Sequence, residues 1–190
     1  YSGERGYEIF ASADVICDIW DNIVDQGKDL GLMPCSFTSL DKVRVEATLL
    51  FYGYDMTTEH TPWEVGLGWT INRNKNDFRG KEAVFASEGK ERFKMVGLVI
   101  DHNDALAGGE KLKKDNEEVG VVNSPVWSHR MKKSLALAHI RPDLIEPNTK
   151  INVSSDDINC SATVTQTPFY DPQKTKTHHN KKKKQQRTPK

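Results

Sequence analysis

Apolar positions along this chain keep two different rhythms. In the first part the rhythm is helical. Val15, Ile16, Ile19, Trp20, Ile23 and Val24 fall on one face at helical spacing, and Gly31 is placed to stop the helix. Residues 7–11 ahead of it read as a short strand, and Ser12 can cap the helix that follows. A strand followed by an amphipathic helix predicts a helix laid on a sheet, because its apolar stripe must be covered. Pro34 and Ser36 open a second helix that runs to Ala47. Val43 and Ala47 lie on one face of it, and Asp41, Arg44 and Glu46 are polar. Tyr52-Gly53-Tyr54-Asp55 reads as a turn, and residues 81–87 as a short helix. Between them runs Thr61-Pro62-Trp63-Glu64-Val65-Gly66-Leu67-Gly68-Trp69. Its glycines let backbone approach closely, and its tryptophans offer broad flat walls.

After Lys94 the rhythm shortens. Residues 95–100, 120–122, 135–140, 151–153 and 161–165 are short runs rich in β-formers. Gly108-Gly109, Asp115-Asn116 and Pro147-Asn148 punctuate them, which suggests a small antiparallel barrel or sandwich. Residues 87–92 are charged and predict an exposed boundary. The fold class expected is α+β. Helices pack on part of a sheet over residues 1–90, a small antiparallel β-domain follows over 91–172, and a tail occupies 173–190.

Composition narrows the function. Hydrophobic residues make up 36% of the chain, enough for a core. No apolar run approaches the roughly 20 residues that span a bilayer, so no membrane partner is expected. Net charge is zero but uneven. Residues 173–190 hold seven Lys, one Arg and no acid, leaving 19 basic against 27 acidic side chains elsewhere. A basic tail can meet nucleic acid or anionic lipid. One with so little apolar surface reads first as a solvated, disordered end, and no nucleic-acid partner is expected. Cys17, Cys35 and Cys160 are isolated, which argues against zinc and disulfides. They suggest a reducing compartment, the cytoplasm or, in a eukaryote, the mitochondrial matrix. His129 and His139 have no ligand partner at helical or hairpin spacing, so no metal is expected. There is no P-loop, dinucleotide fingerprint or GxSxG elbow. The chain opens on Tyr1 rather than Met, which reads as a fragment or a processed chain.

Several segments, in order, resemble one family. Tyr1-Ser2-Gly3-Glu4-Arg5-Gly6-Tyr7-Glu8-Ile9 resembles "YTGEDGFEI", and Asp41-Lys42-Val43-Arg44-Val45-Glu46-Ala47 resembles "DSLRLEAG". Tyr52-Gly53-Tyr54-Asp55 is similar to "YGxD", residues 61–69 to "TPxEAGLxW", and Asp77-Phe78-Arg79-Gly80-Lys81-Glu82 to "DFIGKE". Gly120-Val121-Val122-Asn123-Ser124 and Lys133-Ser134-Leu135-Ala136-Leu137-Ala138 resemble "GxVTSG" and "KSIALA". These are segments of the glycine-cleavage T-protein, or aminomethyltransferase, family, which has demethylase-like relatives. The resemblance implies a three-domain ring with tetrahydrofolate in a central channel. This chain would enter inside the second domain and contain the third, a β-barrel. The acidic residue beside the folate N5 would lie upstream of Tyr1, so no catalytic residue is named and the chain alone is expected to be incomplete.

The resemblance also implies site residues. Glu8 matches a glutamate that hydrogen-bonds the pterin, and a carboxylate can accept two parallel N–H bonds from such a ring. Tyr7 beside it matches an aromatic near folate in demethylase-like relatives. Arg44, Trp69, Arg130 and Tyr170 are further candidates for the cofactor, each with packing or folding as its alternative role. Leu40 departs from the pattern, because glycine-cleavage enzymes carry there an Arg that binds folate. The function implied is transfer of a methyl or methylene unit from a small substrate to tetrahydrofolate. The donor is either an aminomethyl group on a lipoyl carrier protein or a methylated sulfonium, amine or aryl ether. The same fold also forms the C-terminal part of sarcosine and dimethylglycine dehydrogenases, which makes a folate module of such an enzyme an alternative. A folate-binding protein without catalysis is the rival from another class.

Overall fold

The computed structural model describes residues 1–176, and the expectation for the tail beyond them lies outside the described residues. Three helices, α1 (Ile16–Gly27), α2 (Phe37–Glu46) and α3 (Lys81–Ala86), precede six strands. The strands are β1 (Lys94–Ile100), β2 (Lys111–Lys114), β3 (Glu117–Ser128), β4 (Lys133–Ile140), β5 (Lys150–Ser154) and β6 (Asn159–Thr165). They form a closed antiparallel barrel in the order β1-β4-β3-β2-β5-β6. Pairing of Gly97 with Thr165 through Ile100 with Ala162 closes the sheet on itself and removes its edges, which decides barrel over sandwich.

The barrel buries two apolar faces. Leu98, Leu112, Val122, Ala138, Ile140 and Val153 fill the interior. Leu135 and Leu137 alternate to the outside of β4, where they pack with Val126 and with Val45 of α2. That second cluster is why α2 sits on the β3–β4 face. Ser36 caps α2 as expected, its Oγ accepting the Ser39 N–H at 3.2 Å. Strand β2 escaped the sequence reading because Lys111-Leu112-Lys113-Lys114 offers a single apolar residue. Asp115 and Asn116, with φ of 50° and 67°, make the hairpin turn into β3.

Three expectations are corrected in residues 1–90. Residues 7–11 form no strand, and no described strand runs beside them to pair their backbone. Helix α1 begins later than Ser12, whose carbonyl rather than side chain receives the Val15 and Ile16 N–H groups at 3.2 Å each. Gly31, at φ 76°, does stop it through a tight turn over Lys28–Leu30. Its apolar face meets no sheet among the described residues, and Val15, Trp20 and Ile23 are exposed. Trp63, by contrast, is buried. Its Nε1 donates to the Val84 carbonyl at 2.6 Å, and a Cβ at Gly68 would stand 2.3 Å from its ring. At the far end, residues 173–176 turn around Asp171, whose carboxylate accepts the Thr175 and Lys176 N–H groups at 2.9 Å each.

Candidate functional site

Because Val45 turns into the barrel face, Arg44 beside it turns toward β3 and the 52–55 turn. The residue is 2% exposed and donates through all three nitrogens. Nε reaches Asp41 Oδ1 at 2.7 Å, and Nη2 reaches Ser124 Oγ at 2.8 Å. Nη1 reaches Asp55 Oδ2 at 2.5 Å and the Leu49 carbonyl at 3.2 Å. Asp55 is fully buried and also accepts the Phe51 N–H at 2.8 Å, which closes its turn. Such a pair holds only while both charges are present, since one left alone is an uncompensated buried ion. Behind it His139 Nε2 lies 2.8 Å from the Asp55 carbonyl. A carbonyl only accepts, so Nε2 carries a proton and donates it. Burial pushes His139 below the ordinary histidine range, and the ring stacks on Phe93 at 4.1 Å.

In front of this network an open cleft of about 750 Å³ lies between α2, the 52–55 turn, β3 and the Gly108-Gly109 loop. Phe37, Phe51 and Tyr54 form its aromatic wall, with ring centroids 6.3 Å and 5.5 Å apart at steep angles. The Asp41 carboxylate, held by Arg44, is its exposed charge, with 38% of the side chain open to solvent. The volume is that of a small-molecule site.

Arg130 and Tyr170 are brought together, the guanidinium carbon 4.1 Å from the ring centroid. Arg130 Nη1 also meets Glu4 at 2.7 Å, and Nε lies 3.0 Å from Glu46 Oε2. The space among them is about 10 Å³, room for one water at most. They fasten the first residues of the chain to the barrel. Glu8 and Tyr7 lie on an exposed stretch, where Glu8 has no hydrogen-bond or ion-pair partner among the described residues. Trp69 is 82% exposed on a short 3-10 turn. No hydrogen bond or ring contact joins Glu8, Tyr7 or Trp69 to Arg44, Arg130 or Tyr170. Leu40 is half-buried in a shallow groove with Cys35, Phe37 and Val43, outside the core.

Sequence reasoning passed over Glu64, although Thr61-x-x-Glu64 has capping-box spacing. The carboxylate accepts the Thr61 N–H at 2.9 Å, and Glu64 N–H meets Thr61 Oγ1 at 3.3 Å. Arg92 then grips it through Nε at 2.7 Å and Nη2 at 3.1 Å. Those charged hydrogen bonds hold the carboxyl down to about 2. The Glu64 carbonyl accepts the Met95 N–H at 2.8 Å, so this residue ties the 61–69 segment to β1.

Residues 1–75 match the GCVT N-terminal domain, and residues 94–171 match the glycine cleavage T-protein C-terminal barrel domain. The chain is 40% identical over 185 residues to the heme-dependent oxidative N-demethylase gamma subunit of Ectopseudomonas mendocina, covering 93% of this chain and 49% of that one. It is 35% identical over 173 residues to the aminomethyltransferase of Geobacillus sp. strain WCH70, covering 90% and 47%. The crystal structure of glycine cleavage system aminomethyltransferase T from Bartonella henselae shares the fold, with a TM-score of 0.84 at 22% identity over 90% of this chain and 48% of that one. The chain spans about half the length of the curated relatives it matches.

Proposed function

Since the chain belongs to the glycine-cleavage T-protein family, we propose that it works in one-carbon transfer to tetrahydrofolate. What supports this most is that both family domains occur, in order, on one continuous fold. Bound tetrahydrofolate would supply the nucleophilic N5. This chain's part is to bind and orient. Glu8, an exposed carboxylate without a partner among the described residues, suits the donor edge of a pterin, and Tyr7 next to it offers a ring to stack. Trp69 offers a second exposed aromatic face. Arg44, Arg130 and Tyr170 act as positioning residues, because their polar or aromatic groups are engaged within the protein. The uncovered apolar face of α1 fits contact with further polypeptide in the working enzyme.

Two donors fit this chemistry, and Leu40 favours one of them. A leucine cannot make the folate contact of the glycine-cleavage arginine, and the relative at 40% identity is a subunit of an oxidative N-demethylase. We therefore place a carbon released from an N-methyl group ahead of an aminomethyl group on a lipoyl carrier protein. The test is to supply the assembled protein with tetrahydrofolate and a carbon-13-labelled donor of each kind. Label in a one-carbon folate, from the N-methyl source above all, is the expected result. Unlabelled folate from both donors would refute the reading.

A further inference from the structure

We propose that a groove on the barrel, sharing no lining residue with the cleft described above, binds a small polyphosphate anion. This goes beyond the one-carbon reading and does not depend on it.

Charge comes first. The groove holds about 340 Å³ where β1, β5 and β6 meet the turn between β3 and β4. That turn supplies Lys132, at φ 53°, and Lys133 follows it at the start of β4. Lys150 opens β5 opposite Thr163 of β6, which in turn pairs with Val99 of β1. All three lysines are exposed, and none has an ion-pair partner among the described residues. Asp101 is the one carboxylate in the lining, so three ammonium groups against one carboxylate leave a net charge of +2 with His102 neutral. Asp104, further along the loop, stands outside the lining, and its Oδ1 accepts the Ala105 N–H at 2.8 Å.

The donors fix the kind of anion. Lys150 Nζ donates to Thr163 Oγ1 at 2.7 Å. A hydroxyl that accepts such a bond keeps its own hydrogen to donate, so Thr163 can serve a ligand oxygen beside the ammonium. Ser161, two residues back on the same strand face, offers a second hydroxyl. Lysine is a compact point charge that meets an oxygen from any direction, which suits the tetrahedral oxygens of phosphate. A planar carboxylate is met best by the arginine fork, and no arginine lines the groove. One exposed ion pair gains little, so a singly charged anion would stay in water. A polyphosphate engages all three lysines at once. Trp127 and Val99, both half-buried, give the groove an apolar backing that lessens solvent screening.

Sodium pyrophosphate, titrated by calorimetry into the protein at constant ionic strength, is the direct probe. Saturable binding is expected, with citrate, which carries similar charge on carboxylates, clearly weaker. Lys133→Gln and Lys150→Gln should each weaken pyrophosphate about threefold to tenfold. Both side chains are exposed, so the variants should fold and report on the groove rather than on stability. Lys90→Gln, an exposed lysine outside the lining, should bind as the wild type does. No saturation, citrate bound as tightly as pyrophosphate, or an equal loss in Lys90→Gln would overturn the proposal. Unchanged affinity in both groove variants would overturn it too, by assigning the binding to other basic residues. A single-stranded oligonucleotide that binds where pyrophosphate does not saturate would make these lysines a nucleic-acid surface, which contradicts a small-anion site.

Discussion

The barrel and the region before it treat apolar surface in opposite ways. Strand β4 buries seven of its eight residues, and the strands on either side complete a sheet without an edge. Every exposed large hydrophobic residue among the described residues, from Tyr1 to Trp69, lies ahead of β1. Phe10 at 89% and Leu30 at 87% exposure are extreme cases. The barrel carries both sides of its own interfaces in one stretch of chain. The earlier region carries one side only, so its amphipathic pattern states that a face is to be covered without stating by what.

The sharpest way to break this comparison is at the point where the two regions join. Arg44→Ala leaves Asp55 buried without its counter-charge and should destabilise the fold by about 3–5 kcal/mol. Chemical denaturation measures it, and a loss below about 1 kcal/mol would mean that the network is dispensable. Next, Leu137→Ala in the barrel should cost about 2–5 kcal/mol through a cavity, whereas Leu30→Ala in the exposed region should stay within about 0.5 kcal/mol. Equal losses at the two sites would contradict the contrast.

Acid should act at the same junction. The Glu64 carboxyl is held at about 2 in the folded chain against 4.5 when free. The unfolded chain therefore binds more protons in between, and stability rises with pH there. This contribution is complete above about 4.5 and is lost as the pH falls toward 2. His139 works in the same direction at higher pH. Its folded value is depressed by burial, so its contribution is full above its ordinary 6.5 and declines below it. Melting curves from pH 8 to pH 3 should show both declines. Arg92→Met should flatten the lower one, and a variant that tracks the wild type would remove Arg92 as its cause. The smallest effect on stability belongs to Trp20→Ser on α1. It should leave the melting temperature unchanged while reducing self-association in sedimentation, and a clear fall in melting temperature would show that Trp20 is packed.

How much of this was legible follows the same divide. Strands β1, β4, β5 and β6 could be read because their partners share the chain and their residues alternate or run apolar. Strand β2 could not, since Leu112 is its lone apolar residue and pairing with β3 and β5 supplies the rest. The strand expected at residues 7–11 reads well locally but has no neighbour to pair with among the described residues. Helix α2 was legible from Ser36 to Ala47, yet the direction of Arg44 was not. It depends on Asp55 and Ser124, which lie 11 and 80 residues away in sequence. Buried polar partners of that kind leave no periodic trace. Glu8 is the reverse case, because the resemblance singled it out and the structure leaves its carboxylate free of partners among the described residues.

That free carboxylate gives the most direct test of the central claim, that this chain holds tetrahydrofolate for one-carbon transfer. Tetrahydrofolate should be titrated by calorimetry into the assembled protein and its Glu8→Gln variant. The substitution trades two acceptors for one acceptor and a donor that faces a pterin N–H. The account predicts saturable binding by the wild type and a loss of about 1.5–3 kcal/mol in the variant, which is about ten- to hundredfold in affinity. A wild type that does not bind, or a variant that binds as tightly as the wild type, would contradict it.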